Sequence, residues 1–371
     1  MSKSKKTVTF IIGNGFDCKY KWKVSYDQFL GYYLRISTGK NEVLKCFKDK
    51  IRAEKKRKSY GSWSDLEIKM GSYETETLEE FCTCYDDISH FLSKYIKGVV
   101  EKNKGLPEED LKDPNLFHNG FMHFLVHFTE VATDDPQGFS VLNEIYCSIK
   151  STFSFILLNY TPLLENGIKY LLSPERNFKP FKGEQKVKLG KVLQPHGDLD
   201  NIVFGVSDVS QICKKFANEY EYRRRILKEE RIKYLGKTWL EDGKKMINNS
   251  DLIAIFGASI GASDNHWWRM IAEWLAEDGK RNVLIYYYWR KKRVSKKETA
   301  RQQEEKVREL KARFRSFAAN AEDISKRIFI TFEPQKFLEM FVPLQAEIMI
   351  PTPKLDCEID LAFGPHADSA P

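Results

Sequence analysis

Residues 7–17 read TVTFIIGNGFD. Six β-branched or aromatic residues followed by two glycines and an acid describe a buried strand that turns sharply at its carboxyl end. Gly13 and Gly15 tolerate positive φ and carry no Cβ, so the backbone there can approach a ligand closely and turn N–H groups toward a phosphate. A dinucleotide fingerprint of the dehydrogenase type needs more than this. It would put Gly or Ala where Cys18 stands and would close a second strand with an acid about twenty residues on. Neither feature is present. Ser25 followed by Gln28 fits a capping box, which starts the next helix late and leaves a loop between it and the glycines. With no ligand, the same stretch reads as a tight turn with Asp17 as a local cap.

Five further apolar runs extend the pattern: TFSFILLNY from Thr152, NIVFGV from Asn201, DLIAIFG from Asp251, NVLIYYYW from Asn282 and RIFITF from Arg327. Helical periodicity separates most of them, which predicts an α/β fold, Rossmann-like, with a mostly parallel sheet and ligands beyond the carboxyl ends of its strands. Residues 41–150 break the alternation with helical patterns such as LEEFCTCYDDISHFLSKYIKGVV and are expected to form a large helical insertion. The expected division is 1–40 as the first part of the nucleotide-binding domain, 41–150 as the insertion, 151–345 as its remainder and 346–371 as a C-terminal tail. Residues 213–246 are expected to be helical, and 290–315 to form an exposed, charge-laced helix.

Other strand ends carry the candidate chemistry. Asn159 and Thr161 sit at the end of the second apolar run, where Asn is disfavoured without a reason; capping of the next helix, with Pro162 in its first turn, is the alternative. His196, followed by Gly197, lies between two short predicted strands and is a candidate general base at a cleft mouth. After DLIAIFG come Gly257, Ser259 and Gly261, with Ser263 or Asp264 placed to cap a helix that lines up Trp267, Ile271 and Trp274. In the insertion, Trp63, Asp65 and Glu67 form a secondary acidic candidate. His123 and His127 stand one helical turn apart among Phe and Leu and read as core, and Cys82 and Cys84 lack zinc spacing.

Bulk properties narrow the setting. Sixty basic residues against 52 acidic ones give a net charge of +8, a mixed surface that leaves nucleic acid open as a partner without indicating it. Seven cysteines without repeated spacing, and no apolar leader, point to a reduced cytoplasmic protein. No apolar run approaches the roughly 20 residues needed to cross a bilayer.

Taken together, IIGNGFD (11–17), SYDQF (25–29), WSDLE (63–67), NYT (159–161), HG (196–197), FG (204–205) and the G-x-S with a later Ser-Asp (257–264) resemble the AbiH family of bacteriophage abortive-infection proteins. That family in turn is similar to sirtuin-type nucleotide-binding domains. The resemblance implies that Gly13 and Gly15 belong to a phosphate loop, Asn159 lies near a nicotinamide ribose, His196 is the base, and Gly257 and Ser259 form a later loop around NAD. Asn14, Phe16, Thr161 and Asp264 are the remaining candidate contacts to the nucleotide. Asp17 replaces the usual small hydroxyl, Thr161 replaces an expected acid, and no four-cysteine zinc set is present, so NAD hydrolysis is expected rather than deacetylation. Asn159 would position water or a ribose hydroxyl, His196 accept a proton, and Asp17 stabilise the developing cation. Two alternatives stay open: a nuclease or phosphodiesterase holding magnesium on Asp17, Asp65 and Glu67, and a non-catalytic nucleotide sensor. Expected partners are a nucleotide, a phage-derived trigger and a second copy of the chain.

Overall fold

Alternating side chains along a strand point to opposite faces, so a strand that is apolar throughout needs cover on both sides. The computed structural model, which describes residues 6–19, 22–56, 65–103, 124–125, 127–131, 133–137, 139–140, 151–172, 188–288, 296–318 and 324–332, meets that requirement. Six strands, β1 (Lys6–Ile12), β2 (Ser151–Leu157), β3 (Lys188–Leu193), β4 (Leu252–Phe256), β5 (Asn282–Tyr286) and β6 (Ile328–Thr331), form one sheet in the order β3-β2-β1-β4-β5-β6. Every neighbouring pair is parallel. This is the doubly wound order, and its switch point lies between β1 and β4.

One face of the sheet gathers Phe10, Ile12, Phe155, Leu157, Ala254 and Phe256 with Phe124, Phe128 and the helix Leu163–Leu172. The other gathers Ile11, Ile156, Ile253, Ile255 and Ile285 under Trp267, Trp268, Ile271 and Trp274 of a third-layer helix, with Leu310 and Phe314 behind. The three tryptophans are core.

In chain order the described helices are α1 (Gly15–Lys19), α2 (Tyr26–Tyr33), α3 (Glu42–Lys56), α4 (Leu66–Gly71), α5 (Leu78–Asn103), α6 (Leu163–Leu172), α7 (Tyr220–Ile226), α8 (Lys228–Tyr234), α9 (Trp239–Asn248), α10 (Asn265–Glu277) and α11 (Lys296–Phe317). The capping box before α2 is formed, with Ser25 and Gln28 bonding each other's backbone N–H. The stretch between the glycines and α2 is not all loop, because the five-residue α1 begins at Gly15. Helices α2 to α5 build a separate hydrophobic core, and Ile202, Phe204, Val206, Tyr222 and Ile226 join that core rather than the sheet. Among the described helices none is long and apolar enough to cross a membrane. The described cysteines are all free.

Two expectations fail locally. NIVFGV is not a strand. Residues 202–206 are buried, but only Val206 bridges another segment, Leu227. The third strand is instead the more polar KLGKVL, an edge strand whose two lysines can face solvent. Residues 213–246 are mostly helical, as expected, over α7, α8 and most of α9, with α7 ending and α8 beginning at Leu227, whose extended backbone makes the bridge to Val206. Trp63, His123 and the tail 346–371 lie outside the described residues. His127 is partly exposed, with Nδ1 2.6 Å from Glu130 Oε1, and so is not the core residue expected.

Candidate functional site

The loops that leave β1 and β4 meet at the switch point. Gly13 N–H donates to Phe256 O and Gly15 N–H to Gly257 O, both at 2.8 Å. A Cβ on Gly13 would lie 2.6 Å from Ala258 Cα, and one on Gly15 2.7 Å from Gly257 Cα. Gly257 itself sits at φ +67 with Phe16 N 2.7 Å from where a Cβ would be. The glycines therefore let two backbones touch. This corrects the expectation that their N–H groups face a phosphate, since both are bonded within the protein. Asn14 Nδ2 donates to Val24 O at 2.8 Å and anchors the same turn to the segment before α2. Two residues beyond Gly257 in the other loop, Ser259 is followed by buried Ile260 at φ 51, a strained conformation for a β-branched side chain.

Above these loops lies a cavity of about 500 Å³, within the roughly 300–1,000 Å³ usual for small-molecule sites. Gly13, Asn14, Gly15, Asn159, His196 and Gly257 line it, joined by Ser259, Asp264, Asp65 and Glu67. Strand ends and the helical insertion thus contribute to one hollow. Asp17, Phe16 and Thr161 do not line it. Phe16 is buried in the core with its ring edge-on to Phe256. Asp17 and Thr161 lie beneath Asn159, whose Nδ2 donates to Asp17 Oδ2 at 3.0 Å and to Thr161 Oγ1 at 3.3 Å. Asp17 is thus a positioning group, in place of the cation-facing role expected. Its burial pushes the carboxyl up to about 7 against the hydrogen bonds from Thr161 and Asn159. With Nδ2 committed, Asn159 Oδ1 is left buried without a hydrogen-bond partner among the described residues.

The opposite wall is a chain of charged and phenolic groups. Tyr26 and Tyr160 hydroxyls lie 3.4 Å apart, and Tyr160 donates to Glu67 Oε1 at 3.3 Å. Glu67 Oε1 also accepts from Gly205 N–H at 3.3 Å. Lys228 Nζ, 1% exposed, donates to Glu67 Oε2 at 3.0 Å and to Asp264 Oδ1 at 2.7 Å. His196 Nε2 lies 3.0 Å from the same Asp264 oxygen, but off the line of an N–H bond, so it has no aligned hydrogen bond among the described residues. Burial pushes Asp264 up, yet the Lys228 ammonium and His196 overcome it and hold the carboxyl well below the usual range. Glu67 is raised by burial against the pull of Lys228, and Asp65 is raised by burial while its side chain caps α4 through Ile68 N–H. Lys228 is raised in turn, because Asp264 and Glu67 outweigh its desolvation.

Local folding explains how Lys228 arrives there. A Cβ on Gly205 would lie 2.1 Å from Ile226 O, so only glycine lets the FG segment run beside Ile226 and Leu227. Val206 N–H bonds Ile226 O at 2.8 Å and Lys228 N–H bonds Val206 O at 2.9 Å. That clasp directs the lysine inward. Asp264 occupies the N-cap position of α10 without a side-chain cap bond, its carboxylate being turned to Lys228 and His196 instead.

Sequence reasoning missed Lys228, Tyr160 and Tyr26. The tyrosines stand inside the NYT and SYDQF motifs, whereas Lys228 is marked only by the apolar pair Ile226-Leu227 interrupting a charged run. Among the described residues no group of three or more His, Cys, Asp or Glu side chains could hold a metal ion. Lys228 Nζ fills the position between Glu67 and Asp264 where a cation would sit, and Asp17 belongs to the other cluster.

A family model described as bacteriophage abortive infection AbiH matches residues 9–287, a span from β1 to the end of β5 that includes every cavity residue named above. No curated protein matches this chain.

Proposed function

The chain belongs to the AbiH family of bacteriophage abortive-infection proteins, and from that premise we propose that its central cavity hydrolyses the N-glycosidic bond of NAD or a related nucleotide. The observation that carries this reading is a buried polar atom without a hydrogen-bond partner on each of the two facing walls, Asn159 Oδ1 and His196 Nε2. Buried polar atoms without partners are costly, so a site that holds two of them invites a ligand that satisfies both.

Among the described residues that line the cavity are Asp65, Glu67 and Asp264 and no lysine or arginine, the Lys228 ammonium lying behind Glu67 and Asp264. Such a wall suits a reaction in which positive charge builds on the ribose as the base leaves. It suits phosphoryl transfer poorly, because that chemistry concentrates negative charge and relies on cations. The ribose and its base would occupy the acidic interior, with the phosphates toward the mouth. Asn159 Oδ1 would accept from a ribose hydroxyl or from the attacking water. The water oxygen bonds to the anomeric carbon, the C–N bond breaks with its electron pair going to nicotinamide, and the water proton passes to His196 Nε2 and on to solvent. Asp264, whose Oδ1 lies 3.0 Å from that same nitrogen, would steady the imidazolium so formed.

Incubation of the purified protein with NAD, with and without chelator and with and without lysate of phage-infected cells, tests the reading by chromatography of released nicotinamide. Release that survives the chelator and disappears in His196→Ala supports it. Binding of NAD without release in any arm would instead support a sensor, and chelator-sensitive cleavage of nucleic acid would support a nuclease.

A further inference from the structure

A second cavity, also about 500 Å³, opens between α5 and the α7–α8 pair, and its chemistry is the reverse of the first. Five permanent cations line it, Lys94, Lys97, Arg224, Arg225 and Arg231, against the carboxylates Asp86 and Asp200. Two of the cations are neutralised locally. Lys97 pairs with Asp200 at 2.6 Å and Arg225 with Asp86 at 3.0 Å. Arg224 pairs with Glu221, which lies outside the cavity lining, and stacks on Tyr234 with its guanidinium 4.5 Å from the ring centre.

Lys94 and Arg231 have no carboxylate partner among the described residues. Arg224 and Arg231 each keep a buried Nε–H with no acceptor. Two lining arginines with unmet donors beside an unpaired lysine form a receptor for an anion with several oxygens, since guanidinium groups favour bidentate phosphate contacts. We infer that this cavity binds a small polyphosphate, of nucleotide size or smaller, at a site separate from the central one. The volume fits a small molecule, and the cations converge on a hollow instead of following a stripe along the surface as a nucleic acid would require. Arg231 sits one helical turn beyond Lys228 on α8, so the short helix that lines this cavity also supplies the ammonium paired with Glu67 and Asp264 of the first.

Isothermal titration of the full chain with inorganic tripolyphosphate at near-physiological salt tests it. Saturable binding with one site is expected. Lys94→Glu, an exposed change that leaves packing intact, and Arg231→Gln should each weaken it about tenfold or more. Lys45→Glu on α3, a charge-matched control outside the cavity, should leave it unchanged. Absence of saturable binding, retention of full affinity in Lys94→Glu, or an equal loss in Lys45→Glu would each overturn the assignment. So would a single-stranded oligonucleotide that binds more tightly than tripolyphosphate and loses affinity in Lys94→Glu, because the surface would then be a nucleic-acid track.

Discussion

Two buried polar clusters flank the central cavity, and they solve the same problem in opposite ways. Beneath Asn159, the carboxyl of Asp17 has only neutral hydrogen-bond partners, so desolvation wins and its proton affinity rises to about pH 7. Across the cavity, Asp264 is also largely buried, its side chain 16% exposed, but it faces the Lys228 ammonium, and there the ion pair wins and the carboxyl stays ionised. One wall is thus close to neutral and the other fixed in charge. A carboxylate's neighbours, more than its depth, decide its state.

The sharpest break would come from His196→Ala. If the charged wall does the chemistry, NAD hydrolysis should fall roughly 10²- to 10⁴-fold, read as kcat by nicotinamide release, with the circular dichroism spectrum unchanged. Next is Lys228→Met, which leaves Glu67 and Asp264 buried without their counter-ion and should cost about 3–5 kcal/mol in chemical denaturation. Adding Glu67→Gln should return part of that loss if the penalty is stranded charge instead of lost packing. For the neutral wall, the folded carboxyl of Asp17 holds its proton to about pH 7 against an ordinary 3.8. Its stabilising contribution is therefore complete below about pH 4 and lost as the pH rises through 7. Relative to Asp17→Asn, the wild type should lose up to about 1.4 kcal/mol per pH unit across that window, measured by urea titration at successive pH values. The smallest effect is expected from Thr161→Val, about 0.5–1.5 kcal/mol, with the Asp17 midpoint moving upward because a bond that favours the carboxylate is gone.

The legible parts of this molecule are those where one local rule acts alone. β1, β2, β4, β5 and β6 announce themselves because both faces are buried and most residues are apolar or β-branched. The Ser25–Gln28 capping box is equally local. NIVFGV misleads because residues 202–206 are just as apolar, but they are buried against helices of the insertion and Gly205 takes a φ of +149. KLGKVL hides because an edge strand needs only one apolar partner. Asn159, His196 and the glycines are legible as breaks at strand ends, while Lys228 is one of sixty basic residues and acquires its place only through the clasp of Val206 on Ile226. Asp264 misleads in the same way, since a helix cap and an ion-pair partner look identical until the lysine is known.

The glycine contacts between the loops after β1 and β4 have a mechanical consequence. In an open doubly wound sheet the cleft at the switch point parts the two halves. Here Gly13–Phe256 and Gly15–Gly257 bonds continue the ladder past the last strand residues and suture that cleft. The floor is therefore tied to both halves of the sheet, while the far side of the cavity is lined by Glu67 of α4 and by Leu92 and Ile96 of α5.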